Sequence, residues 1–153
     1  MSDQREFLFQ SLLPAEAANL VAVMRSIVPH HDPHLSDVVW QTALAYDARL
    51  ASDNKLRTEI RLQLRELDKA AVAKGAASFS EAIPELRKTL LESIQDTTLF
   101  QNLVYAVVVD FYNRHSVWET IGFPGLAQRD GQGYINRGFD VVAWSPSTVQ
   151  TER

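Results

Sequence analysis

The chain has 153 residues, 46% of them hydrophobic and 22% charged, the composition of an ordinary one-core globular protein. Cysteine is absent, which excludes disulfides, thiolate catalysis, iron–sulfur clusters and cysteine-ligated zinc. Fifteen Lys and Arg against nineteen Asp and Glu leave a net charge of −4, with the basic residues scattered, so the electrostatic footprint of a nucleic-acid binder is missing.

The residues before Phe7 are polar and Pro14 follows soon after, a pattern unlike the basic start and uninterrupted apolar run of a signal peptide. The longest unbroken apolar run, residues 103–109, is far short of the roughly 20 residues that cross a bilayer. The expectation is a cytoplasmic protein with no direct membrane insertion.

Proline at a first helical position sacrifices only an N–H that the first turn leaves unpaired, so a helix is expected from Pro14, with Glu16 in its positive first turn. It should stop before Pro29, with Leu20, Val23, Met24, Ile27 and Val28 as its apolar stripe. A loop holding Pro29, Pro33, His30, His31 and His34 follows. Ser36 is then expected to cap a second helix that turns Val39, Trp40, Ala43, Leu44 and Leu50 inward. Asp53 or Asn54 caps the third, whose stripe is Leu56, Ile60, Leu64, Leu67 and Ala71, and Gly75 ends it.

Pro84 starts a short fourth helix with Leu86, Leu90, Leu91 and Ile94 inward, ending near Gln95. Asp96 is expected to cap the fifth. Residues 99–112 are apolar on nearly every side, which marks this helix as the axis the others surround. Ser116 and Glu119 fit a capping box for one further turn, to about Ile121. Five of the six glycines then crowd into residues 122–138, where turn formers mix with large aromatics. The expected fold is all-α: about five helices around a central apolar helix at 97–114, with residues 1–121 as the bundle and 122–153 as an irregular segment of the same domain.

Chemistry-bearing residues are sparse. The histidine cluster at 30, 31 and 34 is interrupted by prolines and lacks further metal ligands, so it reads as a solvated loop after a helix C-terminus, where imidazolium complements the dipole. Asp110 lies in the most apolar part of the chain. It reads either as a general acid or base in a bundle cavity, the enzyme or ligand-binder alternative, or as a structural carboxylate paired with Arg114 at i,i+4. The pairing is the simpler reading, because sequence spacing ties no second carboxylate, histidine or nucleophile to Asp110. Neither a Gly-x-Ser-x-Gly elbow nor a phosphate-binding glycine loop is present. No catalytic, metal-binding or cofactor-binding residue is assigned in this chain.

What stands out is the aromatic series Phe111, Tyr112, Trp118, Phe123, Tyr134, Phe139 and Trp144. Phe111 and Tyr112 read as part of the chain's own core. For the others two readings stay open: a tail folded back on the bundle, or anchors for another protein, since aromatics on glycine-hinged loops are what interfaces favour.

These residues also resemble a family. The string Leu13-Pro14-Ala15-Glu16-Ala17-Ala18 with Ile27-Val28-Pro29 further on, the opening of the long helix at Asp96 to Phe100, and above all Val117-Trp118-Glu119-Thr120-Ile121-Gly122-Phe123-Pro124-Gly125 followed by Gly133-Tyr134 are similar to the gluconate 2-dehydrogenase subunit 3 family. The resemblance implies a helical subunit without redox chemistry. Such a subunit binds and stabilises a large FAD-dependent sugar or polyol oxidoreductase of the glucose–methanol–choline type, with FAD and the catalytic base in that partner and a cytochrome subunit as a further candidate member. Trp118, Ile121, Gly122, Phe123, Pro124, Gly125, Tyr134 and Phe139 become the expected partner-binding residues. Members commonly begin with a twin-arginine export signal. None precedes Glu6, so a periplasmic location is expected only where the partner carries the address.

Overall fold

A computed structural model describes residues 5, 8–28 and 32–123. Among them the chain is all-helical: α1 (Pro14–Ile27), α2 (Pro33–Leu50), α3 (Asn54–Ala73), α4 (Pro84–Ser93), α5 (Thr98–Ala106), a π-helical turn (Val107–Phe111) and α6 (His115–Ile121). The chain divides into two compact units, Met1–Val117 and Trp118–Arg153.

The helix starts follow local chemistry. Pro14 and Pro84 open α1 and α4 as expected, and the Asp53 carboxylate accepts the Leu56 N–H at 2.9 Å to cap α3. Three caps differ from expectation. Helix α2 begins at Pro33, three residues before Ser36, because Asp32 accepts the His34 N–H at 2.8 Å and Pro33 takes the first position. His34 therefore sits on the first turn of a helix, at the positive end of its dipole, rather than in a loop after a C-terminus. At α5 the cap is Thr97, whose hydroxyl accepts the Phe100 N–H at 3.4 Å, and not Asp96. Helix α6 already includes His115, so Ser116 lies inside it instead of capping it.

The helix at the centre of the first unit is α1, which packs against α2, α3, α4 and α5. It is buried around most of its circumference, polar Glu16 and Asn19 included. The 97–114 segment was the expected axis, and there the structure departs from the sequence. Leu99, Leu103, Ala106, Val107 and Phe111 are buried, but Tyr105, Val108 and Val109 face outward. Nor is it one continuous α-helix. At its end the Tyr112 N–H bonds the Val107 carbonyl at 3.1 Å, five residues back, and this wider turn adds a residue to the outer circumference.

Three polar anchors hold connecting chain onto this bundle. The buried Asp47 carboxylate accepts the Gln10 N–H at 2.7 Å and the Ser11 N–H at 3.1 Å, fixing the strand of chain that leads into α1. Asp68 accepts the Phe79 N–H at 2.8 Å and the Asn19 amide at 3.0 Å, while the Asn19 carbonyl accepts the Ser80 N–H at 3.0 Å. This pins the 78–80 loop so that Phe79 is fully buried. The Gln63 side-chain oxygen takes the Leu99 N–H at 2.6 Å and ties the start of α5 to α3.

Glu16 is the fourth anchor. Its carboxylate takes the Leu13 N–H at 3.0 Å, Arg61 at 2.8 Å and Arg65 at 2.7 Å. Burial pushes its pKa up, but the Leu13 N–H and the two guanidinium groups outweigh that and hold it below the usual carboxylate value.

Candidate partner-binding surface

Helix α6 ends in a glycine cap that explains much of the Trp-x-x-Ile-Gly-Phe string. Gly122 adopts φ +72°, its N–H bonds the Glu119 carbonyl at 3.3 Å, and the Phe123 N–H reaches back to the Trp118 carbonyl at 2.8 Å. That pair of bonds is a Schellman motif, and the apolar contact that usually accompanies it joins the same two residues. The Trp118 and Phe123 rings meet edge-to-face, centroids 5.5 Å apart and planes at 82°. Trp118 is thereby buried, whereas Ile121 and Phe123 are each 45% exposed. Pro124, Gly125, Tyr134 and Phe139 lie outside the described residues, as do Trp144, His30 and His31.

So the expected partner-binding set separates by role. Trp118 and Gly122 build the cap; Ile121 and Phe123 present apolar surface from it. Phe111 and Tyr112 pair edge-to-face at 5.0 Å, with Phe111 fully buried, in keeping with their assignment to the chain's own core.

The first unit carries an apolar surface that sequence reasoning missed. Tyr105, Val108 and Val109 are 65%, 59% and 42% exposed, respectively, on the outer side of α5 and the π turn. Large apolar side chains in such a run mark recognition surfaces more often than isolated exposed residues do. Nothing in the periodicity separates this side from the buried one, because both are apolar.

Asp110 is on the same turn. Its carboxylate is about one-quarter exposed and lies 3.4 Å from Arg114, the i,i+4 partner, which also donates to the Gln41 side chain at 3.0 Å. Asp110 lines neither of two grooves, of about 890 and 540 Å3, formed by described residues of the first unit. No group of three or more His, Cys, Asp or Glu side chains among the described residues is placed to hold a metal ion. None of the described helices is long and apolar enough to cross a membrane. Compared with protein-family models, curated proteins and solved structures, the chain matches none of them.

Proposed function

We propose that this chain is a non-catalytic small subunit that binds and stabilises a large FAD-dependent oxidoreductase of the glucose–methanol–choline type acting on sugars or polyols. The observation that carries a binding role is the outward apolar side of α5 and the π turn, Tyr105, Val108 and Val109, in a chain whose Asp110 and Glu16 carboxylates are held by Arg114 and by Arg61 and Arg65, respectively. Ile121 and Phe123, displayed by a rigid glycine cap, add two further apolar contacts of the kind interfaces use as anchors. The choice of partner rests on the resemblance of residues 117–125 and 133–134 to the gluconate 2-dehydrogenase subunit 3 family. In this reading the flavin and the catalytic base belong to the large subunit. The small one works by covering apolar surface that the large one exposes before assembly, and a cytochrome subunit is a candidate third member.

The test is co-expression with a flavoprotein encoded beside this chain's gene. The expected product is a stoichiometric yellow complex, and flavin content and solubility of the large subunit should fall when this chain is omitted. A large subunit that is equally soluble, flavin-loaded and active alone overturns the proposal. Phe123→Ala and Ile121→Ser should each weaken the complex by about tenfold or more, the scale of an interface anchor.

A further inference from the structure

The larger groove lies between the C-terminal end of α1, the start of α2, and α4. Its apolar lining is supplied by Val28, Leu35, Val39, Leu91 and Phe100, and its volume of about 890 Å3 falls within the range of small-molecule sites, roughly 300–1,000 Å3.

Two arginines border it without a carboxylate partner. Arg87 forms no ion pair among the described residues, and its Nε is shielded from solvent with no hydrogen-bond acceptor. Arg25 donates to the Ser36 hydroxyl at 3.0 Å and lies 5.9 Å from the centre of the Trp40 ring, again with no acidic partner. No acid among the described residues neutralises either guanidinium, and a carboxylate entering the groove supplies the missing counterion.

We propose that this groove binds an amphiphilic monocarboxylate, its head group held by Arg87 and Arg25 and its hydrocarbon chain laid over the apolar lining. One negative charge suits the site better than two. Asp32 and Glu92 also border the groove, and Lys88 is only loosely paired with Glu92 at 3.9 Å, so the local excess of positive charge is small. A guanidinium fork matches a carboxylate in planar, two-bond geometry. The site does not depend on the accessory-subunit reading and is tested on this chain alone.

The experiment is titration calorimetry of the full chain with decanoate below its micelle concentration, alongside decanol and decyl phosphate. Saturable one-to-one binding of decanoate is expected, with decanol at least about tenfold weaker for want of the charge-assisted hydrogen bonds. Arg87→Gln and Arg25→Gln should each weaken decanoate about tenfold while circular dichroism shows the same helical content. Because both arginines also border the smaller groove, Phe100→Ala, which touches only the larger one, should weaken binding as well. Absence of saturable binding, equal affinity for decanol, tighter binding of decyl phosphate, or full affinity in Phe100→Ala overturns the proposal. If Arg87→Gln fails to fold, Arg25→Gln decides the same point.

Discussion

Helix α1 and the run at residues 103–109 are both rich in apolar residues, yet the helix, which carries polar groups, is the better buried. Helix α1 carries Glu16 and Asn19 and has four helices packed around it, whereas the 103–109 run has no polar residue and leaves Tyr105, Val108 and Val109 outside. The polar groups are the reason. Glu16 draws Arg61 and Arg65 of α3 across α1, and Asn19 with Asp68 fastens the 78–80 loop over it. Directional bonds fix which surfaces meet, while apolar attraction alone is indifferent to the choice. Among the described residues no such bond is made by the side chains of Tyr105, Val108 or Val109, which stay exposed.

The widest test of this contrast compares inner positions. Leu20 on α1 and Leu103 on α5 are both fully buried, so Leu20→Ala and Leu103→Ala should each cost about 3–5 kcal/mol in chemical denaturation. A much smaller loss at Leu103 would mean that the inner side of α5 is not part of the same core, and the contrast would then be between a core helix and an appended one.

Next in size is Glu16→Ala, expected to cost about 3 kcal/mol because it strands two guanidinium groups and the Leu13 N–H. The lower end of the usual range applies, since Arg65 is half exposed and can rehydrate. The pH dependence follows from the lowered pKa. The ionised carboxylate stabilises the fold above the ordinary value of about 4.5, and that contribution is lost as the pH falls through the lower folded-state value. Acid titration of unfolding should therefore be less steep in Glu16→Gln than in the parent chain below pH 4.5; identical slopes would remove Glu16 from its role as the clamp.

Much of this architecture is legible in the sequence where the determining chemistry is local. Pro14, Asp53, Gly75 and Pro84 punctuate helices as expected; at Gly75 the backbone turns to φ +90° and the Ala76 N–H bonds the Ala71 carbonyl at 3.1 Å. Local signals failed where two competed. Asp32 with Pro33 outranked Ser36, and Thr97 outranked Asp96, because a helix starts where its first turn can pack and not merely where a cap residue stands. The clamps were out of reach for another reason: Glu16 and Arg65 are 49 residues apart, and no periodicity pairs them. Of the candidate surface, Gly122 and its flanking Trp118 and Phe123 carried a readable helix-stop signal. The exposure of Val108 and Val109 and the unpaired Arg25 and Arg87 depend on what packs alongside, which no local pattern encodes.

Tyr46, on the α2 helix that packs against both α1 and the π turn, gives a smaller effect at neutral pH. Its hydroxyl is buried without a hydrogen-bond partner among the described residues, and burial pushes its pKa up to about 12, against a modest opposing influence from Arg49. The folded state thus holds the phenol proton more tightly than the unfolded chain. Its stability contribution is intact below pH 10 and disappears between about 10 and 12, a loss of about 2–3 kcal/mol at about 1.4 kcal/mol per pH unit. Tyr46→Phe should abolish that alkaline loss and, by removing an unsatisfied hydroxyl, raise stability at pH 7 by about 1 kcal/mol. A destabilised phenylalanine variant would reveal a partner for the hydroxyl and overturn its reading as an unsatisfied buried group.

The smallest stability effect is expected where the contrast began. Tyr105→Ser and Val108→Ser remove apolar groups that folding leaves in water, so each should change unfolding free energy by no more than about 0.5 kcal/mol. Helix propensity works in the same narrow range, since serine and the residues it replaces rank close together. If the outer side serves another protein, the same substitutions should nevertheless weaken the co-expressed flavoprotein complex by about tenfold or more, because burial on binding is where their apolar area counts. A large loss of stability in the isolated chain would show instead that this side is already covered by the chain itself. The division between a clamped interior helix and an open apolar flank would then fail, and with it the main support for a binding role.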